Sequence, residues 1–350
     1  MTKTLAYAAP AAKAALKPWS FERREPKDHD VAIDIKYCGI CHTDVHQARD
    51  EWGGAEFPMV PGHEIAGIVT AVGKSVTKFK VGDHVGVGCL VDSCRECESC
   101  REGLEQYCLN GATYTYASRE RDGVTPTYGG YSDKIVTDEN FVLRIPSNLP
   151  LDGAAPLLCA GITLYSPLRH WKAGPGKKVA ILGLGGLGHM GVKLAHAMGA
   201  EVTVLSHSSR KKDDAKRLGA DHFYAMSEGD AFSALASRFD LIVCTAGVGV
   251  EWGKYLGLVK RDGAMVLVGV PAEEVPLGAF PLIGQRRSLA GSLIGGIAET
   301  QEMLDFCGKH GIVSEIETIP IAKVNEAFDR IVKSDVRYRF VIDMASLKGS

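Results

Sequence analysis

At 350 residues the chain has room for about two domains of ordinary size, and its 45% apolar content can give each a core. A net charge of −2, spread without any run of about five like charges, excludes a polyanion-binding face or an anionic-membrane anchor and leaves small-molecule chemistry as the expectation. No stretch of about eighteen apolar residues occurs, and Met1-Thr2-Lys3-Thr4-Leu5-Ala6-Tyr7 lacks the apolar core of an export signal, so a cytoplasmic protein is expected. In that reducing compartment, ten cysteines point to metal binding rather than to disulfides.

Up to about residue 150, short β-rich runs are broken by Gly, Pro and Asp. Val31–Tyr37 alternates apolar and polar residues as a half-buried antiparallel strand does. Ile65–Gly73, Val81–Val87 and Tyr131–Val136 continue the theme, which predicts an all-β, barrel-like domain over residues 1–150.

Two sets of metal-binding side chains fall in this part. The first starts in Gly39-Ile40-Cys41-His42-Thr43-Asp44-Val45-His46, continues in Pro61-Gly62-His63-Glu64 and is completed far downstream in Leu158-Cys159-Ala160-Gly161. Singly, His63 reads as a packed histidine and Cys41 or Cys159 as a small buried hydrophobe. Together, two thiolates and an imidazole leave a tetrahedral zinc one open position, which separates catalytic from structural zinc. Glu64 either fills that position at rest or is a buried acid beside the metal. Asp44 is placed to accept a hydrogen bond from the far nitrogen of His63, or else to cap a turn. Thr43 offers a hydroxyl two residues from Cys41, and His46 can pass a proton to solvent because imidazole titrates near neutral pH.

The second set, Cys94-x2-Cys97-x2-Cys100-x7-Cys108, lies in a polar loop spanning 89–112. Four sulfurs close a zinc's tetrahedron and leave no site for substrate, so a structural staple is expected. An iron–sulfur cluster uses similar runs, but usually in a more apolar shell and often with Pro after the last Cys, which is absent here. Cys38, Cys89, Cys244 and Cys307 have no partner at metal spacing and read as core residues.

After Pro150 the texture changes. Ala154 to His170 has a helical pattern, and Lys178–Leu182 is an apolar run suited to a buried parallel strand. Further strands at Val202–Leu205, Leu241–Cys244 and Met265–Gly269, with a helix over Gly191–Met198, alternate as β/α units and predict a doubly wound parallel sheet over residues 151–315. Residues 316–350, with an amphipathic helix at Ala322–Lys333 and a strand at Arg339–Asp343, are expected to return to the first domain, with a cleft between the two.

Gly183-Leu184-Gly185-Gly186-Leu187-Gly188 satisfies G-x-G-x-x-G. By itself this is weak in a chain with 40 glycines, but it follows the strand ending at Leu182 and opens a helix, so its N–H groups face a pyrophosphate. At the end of the next strand the chain reads Leu205-Ser206-His207-Ser208-Ser209-Arg210-Lys211-Lys212, with no acid for a ribose 2′-hydroxyl before Asp213. Hydroxyls of Ser206 and Ser208 with cationic Arg210 and Lys211 suit a 2′-phosphate, so NADP(H) is expected rather than NAD(H). Val268, at the end of a later strand, is a further cofactor-side candidate.

With these motifs, and with Leu157–Thr163, Gly291-Ser292 and Val336–Val341, the chain resembles the zinc-dependent medium-chain alcohol dehydrogenases, in the cinnamyl-alcohol-dehydrogenase-like branch of NADP-dependent aldehyde reductases. The resemblance covers nearly the whole chain. It implies an α/β fold made of a GroES-like, partly open β-barrel catalytic domain and a Rossmann coenzyme domain, two zinc ions per chain, and a homodimer built by edge-to-edge sheet pairing. It further implies Thr163 near the nicotinamide and Ser292 and Arg339 around the cofactor. Plant lignin-type members carry a longer aromatic pocket segment where this chain has Tyr114–Asp122, which argues against a dedicated cinnamyl substrate. Trp52, Tyr114 and Ile294 are the candidates for pocket lining.

The expected reaction passes hydride between NADP(H) and aldehyde/primary alcohol pairs, over a broad range of aldehydes. An aldehyde oxygen is polarised at the open zinc position, and a proton is relayed through Thr43, the nicotinamide ribose and His46. A non-enzymatic, NADP- and zinc-binding redox sensor would share the cysteine sets and the glycine motif, but would not require Thr43 and His46 at relay spacing.

Overall fold

The computed structural model describes residues 1–247, 249–271 and 274–349. Two compact units make up the chain, Met1–Cys159 with Gly295–Ser350, and Ala160–Ile294.

The first unit opens with β1 (Thr2–Ala8) paired antiparallel to β2 (Lys17–Arg23). Then come β3 (Asp30–Gly39), α1 (His42–Ala48), β4 (Ile65–Val72), β5 (His84–Val87), β6 (Leu90–Asp92), α2 (Glu98–Arg101), β7 (Thr113–Tyr114), β8 (Lys134–Asp138), β9 (Leu143–Arg144) and α3 (Leu151–Ala154). The helical pattern from Ala154 to His170 is not one helix. Pro156 has no N–H to donate, and a tight turn through Ala155–Leu158 leads to Cys159 at φ −127°, ψ −67°, after which α4 (Ala160–His170) begins anew. That break sets the thiol of Cys159 apart from both helices.

The second unit continues from α4 with β10 (Lys178–Leu182), α5 (Gly188–Ala197), β11 (Glu201–Ser206), α6 (Lys212–Leu218), β12 (His222–Ala225), α7 (Ala231–Ala234), β13 (Phe239–Cys244), α8 (Trp252–Gly257), β14 (Val259–Leu267), α9 (Phe280–Ile283) and β15 (Ser288–Gly291). Among the described residues its sheet is six-stranded and parallel, in the order β12-β11-β10-β13-β14-β15. Counted from β10 this is the order 3-2-1-4-5-6 of a Rossmann sheet, in which the strand order reverses beside β10. Continuous burial of Val179, Ala180, Ile181, Val202, Val204, Ile242 and Val243 is what a strand covered on both faces requires.

The chain then returns to the first unit with α10 (Ile297–His310), β16 (Ile316–Pro320), α11 (Val324–Val332) and β17 (Arg339–Asp343). The return comes earlier than the sequence texture indicates, because α10 is bound there by polar contacts: Gln301 exchanges hydrogen bonds with the Arg144 backbone, and Asn148 donates to the Gly308 carbonyl at 2.8 Å. Among the described residues the main sheet runs β16-β17-β3-β4-β5-β9, with β8 also on β3, and is antiparallel except for the β16–β17 pair. Ile33, Ile35, Ile65, Val69, Val85, Val87, Ile135, Phe340 and Ile342 fill its core. Each such side chain contributes about 1.5–3 kcal/mol over leaving it in water. The order places β17, β3 and β4 side by side, so residues at their ends can meet although they are far apart in sequence. No helix among the described residues is long and apolar enough to cross a membrane.

Candidate functional site

Three segments of the first unit converge at the end of β3. Cys41 is the N-cap of α1, in extended backbone at φ −98°, ψ 152°, and its own N–H donates to Asp44 Oδ2 at 2.8 Å. His63 and Glu64 immediately precede β4, and Cys159 sits at the helix break. One ligand atom from each of Cys41, His63, Glu64 and Cys159 lies within 4.8 Å of the others, and all four residues are buried. The two sulfurs are 3.8 Å apart. His63 Nε2 and Glu64 Oε2 are buried without a hydrogen-bond partner. An orphaned buried nitrogen such as His63 Nε2 costs about 1–3 kcal/mol, which a divalent cation bound to it would offset. Two thiols and an imidazole are a zinc donor set with a place left open.

The charges point the same way. The Cys41 thiol is held well below its ordinary range, first by its hydrogen bond with Cys159 and then by His63. Cys159 is pushed well above it by the same bond and by Cys89. A bound cation would favour both sulfurs as thiolates. Burial by itself lowers the His63 imidazole, but the sulfurs of Cys89 and Cys41 and the Asp44 carboxylate reverse this and raise it well above the usual histidine value. Glu64 is pushed up to about 7 by burial, against the pull of Arg339. The Arg339 guanidinium donates through Nη2 to Glu64 Oε1 in a buried ion pair.

Around this centre the structure bears on three readings. The Asp44 carboxylate is taken up by the Cys41 N–H, by the Tyr131 hydroxyl at 2.9 Å and by the Gly62 N–H at 3.2 Å. The expected hydrogen bond from His63 is not among its contacts, because capping α1 turns the carboxylate toward the helix start, and it acts on His63 through charge alone. Cys89 is half-buried rather than a core residue, and its thiol faces Cys159, which lowers it first. Arg339, expected around the cofactor, forms a buried ion pair with Glu64 through Nη2. Tyr116 stacks on the His63 ring at 5.6 Å and 24° and Tyr131 anchors Asp44; neither carries a local signal, since both arrive from segments remote in sequence.

On α1, Thr43 and His46 follow Cys41 within the first two turns. His46 Nδ1 is hydrogen-bonded to the Glu51 carboxylate. Its ring stacks between His42, at 4.7 Å and 15°, and Trp52, at 4.9 Å and 28°. Trp52 and Tyr114 are 47% and 40% exposed, so both keep aromatic surface to offer a ligand. Ile294 belongs to the second unit and is buried there.

The four-cysteine lobe forms as its spacing demands. The sulfurs of Cys94, Cys97, Cys100 and Cys108 lie within 4.8 Å of one another. Three backbone N–H groups donate to them at 3.4 Å: Cys94 to Cys108, Cys97 to Cys94 and Leu109 to Cys97. Such bonds favour thiolates. Backbone N–H groups bring Cys94 down to about 6, whereas burial pushes Cys100 up to about 12. All ten cysteines are free of disulfides.

In the second unit the glycine motif caps β10. Gly183 has φ +96°, and a Cβ on Gly188 would collide with the Gly183 carbonyl oxygen, so both positions require glycine. Gly185 has nothing within 4 Å of where a Cβ would stand, which leaves its backbone open to a ligand. Leu187 is the N-cap of α5, next to Gly186. Lys211 Nζ donates to the Leu184 carbonyl at 2.6 Å, which fixes a cation on this loop, and Arg210 Nε donates to Ser208 Oγ at 3.3 Å. Ser206 ends β11. The hydroxyls and cations of this segment fit a dinucleotide carrying a 2′-phosphate, with the Glu228 carboxylate beside them accepting from the Ser209 N–H at 3.4 Å. Thr163 is buried on α4, and the N–H groups of Val268 and Ser292 bond to Cys244 and Leu267 carbonyls at 3.1 and 3.0 Å.

Comparison with known proteins bears on the chemistry. A family model described as the alcohol dehydrogenase GroES-like domain matches residues 27–147, and one described as zinc-binding dehydrogenase matches residues 186–309. The chain is 60% identical over 350 residues to the NADP-dependent alcohol dehydrogenase C 1 of Mycolicibacterium smegmatis, covering all of both chains. It is 53% identical to the aldehyde reductase YahK of Escherichia coli, covering 99% of each. Among solved structures, a cinnamyl alcohol dehydrogenase from Helicobacter pylori complexed with NADP(H) is 44% identical and superposes with a TM-score of 0.91, over 98% of this chain and 99% of that one.

Proposed function

Because this chain belongs to the zinc-dependent medium-chain alcohol dehydrogenases, in their cinnamyl-alcohol-dehydrogenase-like branch, we propose that it passes hydride between NADP(H) and aldehyde/primary alcohol pairs, acting as a broad-range aldehyde reductase. The observation that carries the reading is the buried convergence of Cys41, His63 and Cys159, with Glu64 beside them. When bound, a zinc ion there supplies Lewis-acid polarisation of a carbonyl, and NADPH supplies the hydride.

The chain's own residues do the rest. Asp44 holds Cys41 at the start of α1, and Tyr116 packs on the His63 ring so that both donors keep their aim. Arg339 balances the Glu64 charge in a site closed to water. With Nδ1 of His46 anchored on Glu51 and its ring clamped between His42 and Trp52, Nε2 is the atom that exchanges a proton with solvent. The Thr43 hydroxyl, between Cys41 and His46 on the same helix, hands that proton to the product oxygen. Trp52 and Tyr114 keep exposed aromatic surface for the substrate, which suits aldehydes of varied shape.

The two cysteine sets would also serve a redox sensor, but full-length relatives named for alcohol oxidation and aldehyde reduction favour the enzyme. The proposal includes a cytoplasmic homodimer. The dimer's support is the pair of exposed apolar side chains Phe280 and Ile283 on α9, the helix that precedes the edge strand β15 of the parallel sheet.

The test is NADPH oxidation across a panel of aliphatic and aromatic aldehydes, with zinc determined on the same sample. Two zinc ions per chain and turnover of several aldehydes are expected; a zinc-loaded chain that turns over none sinks the reading. For the cofactor, Ser208→Asp with Arg210→Ala is expected to lower the NADPH-to-NADH preference by about 100-fold, through loss of charge-assisted bonds to the 2′-phosphate. Steady-state kinetics with both cofactors decide it, and an unchanged ratio places 2′-phosphate recognition elsewhere.

A further inference from the structure

The Glu64–Arg339 pair has to cross a strand. In the main sheet β17 and β4 lie on opposite sides of β3, so Arg339 and Glu64 are separated by two interstrand steps of about 4.8 Å each. Gly39 pairs with Val341 on one side, and its N–H donates to the Glu64 carbonyl at 2.9 Å on the other. Arg339 lies two residues from Val341 along β17, so its side chain stands on the same face as the Gly39 position, and Glu64 opposite Gly39 does likewise. The pair therefore meets directly above the one strand position with no side chain.

The fit is close. A Cβ on Gly39 would fall far inside van der Waals contact with Glu64 Oε2, and 3.0 Å from both Cβ and Cδ of the same residue. The three nearest neighbours of that missing atom all belong to one glutamate. The most severe overlap is with the tip of the side chain, which can rotate, rather than with backbone, which cannot. Oε2 is also the oxygen left without a partner, while Oε1 is held by Arg339. Any side chain at 39 must thus push the carboxylate out of its recess, and the Cys41, His63 and Cys159 donors, within 4.8 Å, are its nearest alternative partners.

We propose that Gly39 is a positioning residue whose missing side chain forms the recess that holds the Glu64 carboxylate on Arg339, and so sets whether the fourth place of the metal centre is open. This rests on the metal-binding reading above. Gly39→Ala drives the carboxylate onto the metal and closes that place to outside ligands. Glu64→Asp, one methylene shorter, relieves the overlap and reopens it.

The experiment uses the full chain with cobalt(II) exchanged into the centre, titrated with imidazole and followed by visible absorption, with metal content and thermal midpoint measured alongside. The parent is expected to bind imidazole with a clear spectral change. Gly39→Ala is expected to keep two metals per chain and to bind imidazole about 10-fold more weakly or worse, because a tethered carboxylate competes at high effective concentration. Gly39→Ala with Glu64→Asp is expected to recover most of the parent's affinity. The proposal is overturned if Gly39→Ala titrates like the parent, or if the double variant binds as weakly as the single one. Should Gly39→Ala alone fail to fold, the double variant decides: recovery of folding and of the imidazole response supports the recess, and failure of both overturns it. A parent that takes up no metal at Cys41, His63 and Cys159 is a different result, which removes the metal reading itself and the proposal with it.

Discussion

Two clusters of metal-binding side chains share one structural unit and are built on opposite plans. The Cys94/Cys97/Cys100/Cys108 set comes from fifteen consecutive residues, keeps part of its surface in water, and has backbone N–H groups pointing at its sulfurs. The Cys41/His63/Glu64/Cys159 set comes from three distant segments, is wholly buried, and contains two orphaned polar atoms and a carboxylate paired with an arginine. A local loop can close four sulfurs around an ion by its own turns and needs little from the rest of the chain. A site that must leave one position free cannot close on itself, so its donors are held by strands and a helix that other parts of the fold keep in place. The first plan yields a staple, the second a reactive centre.

The sharpest way to break this contrast is to remove one donor from each. Cys159→Ala is expected to lower turnover by about 1000-fold or more and to reduce zinc from two ions per chain to one, with the thermal midpoint nearly kept. A midpoint collapse equal to that of a lobe variant would show the two centres to be structurally alike. Cys100→Ser should do the reverse. Structural zinc contributes its binding energy to folding, so a loss of about 3–5 kcal/mol and a midpoint lower by roughly 10 °C are expected, while protein that remains folded keeps most of its turnover. Differential scanning with parallel activity assays separates these outcomes.

A smaller effect sharpens the claim that only the buried centre has a proton route. His46→Gln is expected to lower kcat by about 100-fold near neutral pH, with both zinc ions retained and KM for the aldehyde little changed. Unchanged kcat would remove His46 from the relay. The smallest effect concerns the loop beside the lobe, where Arg121 donates to the Asn110 and Gly111 carbonyls and the next residue, Asp122, caps a turn. The Thr125 hydroxyl and the Thr125 and Val124 N–H groups bring Asp122 down to about 2. A folded value below the ordinary carboxylate value means that the folded state binds fewer protons, so this stability is present above about pH 4 and lost as pH falls toward 2. Asp122→Ala should therefore lower the midpoint slightly at pH 7 and progressively less below pH 4. A difference that stays constant through that range would assign its effect to packing instead.

How much of this was legible beforehand depends on how local each feature is. Strand β10 matches its predicted bounds and β17 does too, since each is a short apolar run with clear edges. The four-cysteine spacing, the glycine motif after a strand, and the absence of an acid after β11 are all patterns within one or two turns of chain. The helix expected from Ala154 to His170 failed because periodicity says nothing of the proline-led break that sets Cys159 apart from both helices.

The residue types of the reactive centre were written in the sequence: Cys41, His63 and Cys159 carry the right donor chemistry wherever they lie, and so do the lobe's four thiols. Their surroundings were not. That Asp44 turns to Cys41, Gly62 and Tyr131, that Cys89 faces Cys159, and that Arg339 reaches Glu64 across the bare position of Gly39 all follow from the neighbour order β17-β3-β4 and from which segments fold over it. Donor chemistry belongs to single side chains and survives in any conformation, whereas hydrogen-bond partners and the room for a carboxylate exist only once strands from far-apart parts of the chain lie side by side.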